Sequence, residues 1–110
     1  MQKRYRRVAR AGGKKRFALP KSDANVLREA DALVRTGFGP LMEGIRNKLM
    51  AERGSALAFE VKNKELEYLN GLAGRLEQIK GKVPESYQAK INHVRKIIID
   101  RMDYLSHLQV

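Results

Sequence analysis

From residue 66 onward the apolar side chains of this chain recur at steps of three and four, a period that an α-helix gathers onto one face. Leu66, Leu69, Leu72, Leu76 and Ile79 form the first stripe, on a helix expected from Ser55 to Lys80 and roughly 38 Å long at about 1.5 Å per residue. Tyr87, Ile91, Val94, Ile98, Met102 and Leu105 form the second, on a helix from Glu85 to Leu108 that Ile97, Ile99 and Leu108 widen. Gly81, Lys82, Val83 and Pro84 separate the two, and so short a connection predicts antiparallel neighbours. The second stripe advances by four, three, four, four and three residues, closer to an 11-residue repeat than to heptads, so a nearly straight pair is expected. Asn70, Gly71 and Gly74 either break the first of these helices near residue 70 or let the partner helix approach closely at Ala89; the unbroken helix is the expectation.

The first half gives two shorter helices. Ser22 reads as an N-cap with Asp23 in the first turn, followed at helical spacing by Leu27, Ala30, Leu33 and Val34. Asp31 and Arg35 are an (i, i+4) pair in the favourable order. Two glycines and a proline in Thr36-Gly37-Phe38-Gly39-Pro40 end that helix, and Pro40 can open the next as its first residue, with Leu41, Ile45 and Leu49 on one stripe beside Met42 and Met50. Gly54 closes the second helix and Ser55 caps the third. No segment sustains the period-two alternation of a strand. The fold class is therefore all-α: a small helical bundle of about four helices over residues 22–110, dominated by a C-terminal antiparallel helical hairpin, with an extended basic N-terminal arm over residues 1–21. The chain has 110 residues, of which 43% are apolar, enough for one domain with one core.

The arm is where the charge is. Residues 1–21 carry Lys3, Arg4, Arg6, Arg7, Arg10, Lys14, Lys15, Arg16 and Lys21 and no acid, which places +9 of the formal net charge of +11 there and leaves the remainder nearly neutral. A cationic segment that cannot neutralise itself stays extended until it meets a polyanion, and in isolation this one is expected to be disordered, with a short helix from about Arg4 to Ala11 forming on the partner.

Several function classes are disfavoured. With no Cys there is no disulfide framework, thiolate metal site or cysteine nucleophile, which suits a reducing compartment: the cytoplasm, or a particle assembled there. The longest purely apolar run is Ala56 to Phe59, so neither a transmembrane span nor a secretory core is expected, and no membrane partner. The arm is Arg-rich and acid-free as organelle transit peptides are, yet lacks their Ser. His93 and His107 share a helix with Asp100 and Asp103, but there is no HExxH and no third His, so a solvated helix face is the reading over a metal site. Lys14-Lys15 after Gly12-Gly13 lacks the spacing of a phosphate loop. Glu60, Glu65, Glu67 and Glu77, interleaved with Lys62, Lys64 and Arg75, read as solvent-facing ion pairs, Glu60 with Lys64 among them. No Ser has a His and an acid at a recognisable spacing. A non-enzyme without cofactor or metal is expected.

What remains is binding. Tyr5 lies between Arg4 and Arg6, and Phe17 follows Lys14, Lys15 and Arg16, so each ring can stack on a base while its neighbours hold phosphates; alternatively Phe17 and Leu19 dock the arm on the helical body. A second basic track is conceivable from Arg46, Lys48, Arg53, Lys90, Arg95, Lys96 and Arg101, interrupted by Glu43, Glu52, Asp100 and Asp103. The expected function is non-sequence-specific binding of nucleic acid, DNA or RNA, through the phosphate backbone, as a packaging, architectural or ribonucleoprotein component in a homo-oligomer or larger complex. The alternative is a non-enzymatic structural subunit of a virion, tube or secretion apparatus whose arm docks on an acidic neighbouring subunit.

Overall fold

The computed structural model of the chain describes residues 19–109, and among them every regular element is a helix. There are four: α1 (Lys21–Thr36), α2 (Gly39–Arg53), α3 (Ala58–Lys80) and α4 (Glu85–Ser106).

The glycine stops sit where the sequence put them. Gly37 (φ 82°) and Gly54 (φ 75°) take up the positive φ that L side chains avoid, and their N–H groups donate to Leu33 and Met50 carbonyls, closing α1 and α2. The starts differ from expectation. Ser22 lies inside α1, whose first turn is set by Pro20, and Ser55 lies three residues ahead of α3, where Leu57 holds the cap position and donates its N–H to Glu60 Oε1 at 3.4 Å. Proline presets a helical φ and lacks an N–H, so both α1 and α4 begin directly after one without a side-chain cap.

α3 runs unbroken through Asn70, Gly71 and Gly74. Apart from its chain neighbours and its own helix backbone, no described atom lies within 4 Å of a Cβ built on either glycine, and Ala89 is exposed, so the glycines serve no close helix approach to a described element. The core is the pair of stripes: Leu69, Leu72, Ala73, Leu76 and Ile79 on α3 meet Ile91, Val94, Ile98 and Leu105 on α4, with Val83 from the turn. Fully buried side chains such as Leu69, Leu76, Ile79 and Ile98 each contribute about 1.5–3 kcal/mol. Tyr87 and Ile99 lie at the exposed edge of the α4 face rather than within it. α1 lies on both long helices through Val26 and Ala30, whereas α2 packs mainly on α3 and buries one side chain, Leu49.

Candidate nucleic-acid interface

Of the eleven residues that the sequence marks for nucleic acid, Lys3, Arg4, Tyr5, Arg6, Arg7, Arg10, Lys14, Lys15, Arg16 and Phe17 lie outside the described residues, as does the helix expected from Arg4 to Ala11. Lys21 is described: it is the exposed first residue of α1. Its neighbourhood is anchored. Leu19 packs against the core, and Asp23, in the first turn of α1, binds Lys82 Nζ in the turn between α3 and α4 at 3.0 Å.

The second basic track is interleaved with acids in the fold. Arg46 binds Glu43 at 3.2 Å, Arg53 binds Glu60 at 2.6 Å, Lys96 binds Asp100 at 3.2 Å and Lys90 lies 3.9 Å from Asp31. Arg95 is held twice, donating from Nε to the Ala73 carbonyl at 3.1 Å with Glu77 at 3.5 Å. Each of these cations meets an acid within reach, so the surface is mixed in sign. Only Lys48, of the seven, has no acid partner among the described residues. The expected Glu60 to Lys64 pair is likewise replaced: Glu60 turns to Arg53 of α2, and Lys64 pairs loosely with Glu67 at 3.9 Å.

Arg101 engages Glu65, the one buried charged residue among the described residues. Glu65 has no exposed surface at all, and Arg101 clasps it with two bonds, Nε to Oε2 at 2.8 Å and Nη2 to Oε1 at 3.2 Å. The guanidinium also lies over two rings, 5.4 Å from the centroid of Phe38 and 5.3 Å from that of Tyr104. This fork joins α3 to α4 and fixes the segment leading into α2 against both. The sequence reading placed Glu65 on a solvated face. The signal that finds it is its register: Val61, Glu65 and Leu69 are spaced by four, so Glu65 stands in the apolar line, as Arg101 does between Ile98 and Leu105 on α4.

His107 accepts no metal-like arrangement: its Nδ1 lies 2.8 Å from the Asp103 carbonyl and 3.6 Å from Asp103 Oδ1, and no group of three or more His, Asp or Glu converges among the described residues. Two open grooves among the described residues are large enough to consider. One, of about 350 Å³, runs between α1 and α4 and is lined by apolar side chains with Arg28, Asp31 and Lys90 at its rim. The other, of about 380 Å³, lies between α2 and α3 and mixes Leu41, Ile45 and Tyr68 with Lys48, Glu52, Lys64 and Glu67. No described helix is long and apolar enough to cross a membrane. Comparison with protein-family models, with curated proteins and with solved structures finds no match to this chain.

Proposed function

We propose that this chain is a non-enzymatic nucleic-acid-binding protein that grips the phosphate backbone without sequence preference. Lys3, Arg4, Arg6, Arg7, Arg10, Lys14, Lys15, Arg16 and Lys21 supply the charge, and Tyr5 supplies a ring for stacking on exposed bases. The body is the scaffold that presents them: α3 and α4 as an antiparallel hairpin, with the pairs Arg95–Ala73 and Arg101–Glu65 at increasing distance from the turn, and α1 laid over it. Such a molecule serves as a packaging, architectural or ribonucleoprotein component.

The observation that carries this reading is the partition of charge. Most of the body's cations meet an acid on folding, down to the clasped Arg101, whereas the arm has no acid in its own sequence to set against its nine. Unneutralised Lys and Arg gain most from a polyanion, because each phosphate they neutralise releases condensed counterions. With four to eight phosphates neutralised, the log of the binding constant should fall against log salt with a slope of about −4 to −7 on duplex, less steeply on single strands, and alike for unrelated sequences. Failure to bind either form at low salt removes the reading. A large homo-oligomer by light scattering in the same sample then points to the assembly subunit with an acidic neighbour.

A further inference from the structure

The groove between α1 and α4 is walled by Leu19, Leu27, Val83, Ile91 and Val94, with Tyr87 at its edge. Leu19 is both a wall of this groove and the first described residue, so the N-terminal arm joins the body there. Pro20 confines the residue before it to extended backbone. In extended chain, side chains two residues apart face the same way, about 6.6 Å from one another. Continued one residue further, that extension would bring Phe17 next after Leu19 along the groove.

We propose that Phe17 is the occupant of this groove, packing into it within the same molecule and anchoring the root of the arm. The ring and not the charge holds it: the rim sets Arg28 and Lys90 against the single acid Asp31, which already faces Arg35 at 3.0 Å, so the rim offers the basic triplet Lys14, Lys15 and Arg16 no net attraction. The groove's volume suffices for one aromatic ring, and burying it removes from water a large apolar surface that would otherwise stay exposed beside the core. Anchoring then leaves the triplet projecting from a fixed place, with less of its ordering left to be done when a polyanion arrives. Phe17 is a positioning residue in this arrangement, distinct from Tyr5.

The chain has no Trp, so a single introduced one reports alone. In full-length protein without nucleic acid, Phe17→Trp should emit at shorter wavelength than Tyr5→Trp and be quenched several-fold less by acrylamide. Adding Leu27→Asp, a half-buried groove wall, should return the Phe17→Trp emission to that of Tyr5→Trp while helicity by circular dichroism stays unchanged. Equal emission and quenching of Phe17→Trp and Tyr5→Trp overturns the proposal whatever Leu27→Asp does to folding. Protection that disappears on dilution also overturns it, by assigning the ring in the groove to a second copy. Because no nucleic acid is present, the result is independent of whether the arm binds phosphate.

Discussion

Glu65 and Arg101 show what one misplaced-looking residue does in a small core. A carboxylate without exposed surface is tolerable when both oxygens accept charge-assisted bonds, and Arg101 supplies both from one planar fork. Arg101→Met strands the carboxylate and should cost about 3–5 kcal/mol in urea unfolding. Glu65→Leu combined with Arg101→Met should recover most of that loss, since an apolar pair leaves no charge behind. If the double variant is as unstable as the single, the pair is doing something other than compensating itself. A charge in the middle of the α4 stripe has no such partner, so Ile98→Asp should be destabilising by several kcal/mol in the same assay. In the arm, replacing Arg4, Arg6 and Arg7 with Ala should flatten the salt slope by about 3 units on all sequences, whereas Tyr5→Ala should weaken single-stranded ligands by about 1–3 kcal/mol and leave the duplex slope alone. The ion pair was legible, because both residues interrupt an apolar line at the spacing of that line. It was missed because single acids among lysines resemble a solvated face until the partner helix is in register.

At the scale of the element, the apolar stripes told the truth and the polar punctuation did not. Periodicity marks α3 and α4 because burial of one face decides whether a helix forms at all, whereas a serine caps only if the chain turns at that residue. Pro20 and Pro84 took the starting positions from Ser22 and from any side-chain cap, and Leu57 took one from Ser55. The glycines of α3 were correctly passed over as breaks, but the reason offered for them, close helix packing, does not hold. Gly71 and Gly74 therefore carry the ordinary cost of glycine in a helix. Gly71→Ala and Gly74→Ala should each raise stability by about 0.5–1 kcal/mol in thermal unfolding, while Gly54→Ala, at φ 75°, should lower it by about 1–2 kcal/mol. A loss at Gly71 or Gly74 would mean that those positions are covered by something.

For the whole molecule, the division between a near-neutral body and a cationic arm was read directly from the distribution of Lys, Arg, Asp and Glu. The second basic track was not, because a list of cations along two helices says nothing of the acids that folding brings opposite them, as Asp31 and Glu77 are brought to Lys90 and Arg95. Deleting residues 1–16, which keeps Phe17, should leave helicity and a cooperative melt within about 1 kcal/mol of the parent while abolishing binding to polyanions. Collapse of the melt in that truncation would make the arm part of the core.

The bond between Asp23 and Lys82 joins residues 59 apart in the chain, the first turn of α1 and the bend between the two longest helices. Whatever pulls on the arm pulls on that corner. A load arriving at Leu19 would reach the start of α1 and the turn between α3 and α4 together, and the Asp23–Lys82 pair opposes their separation.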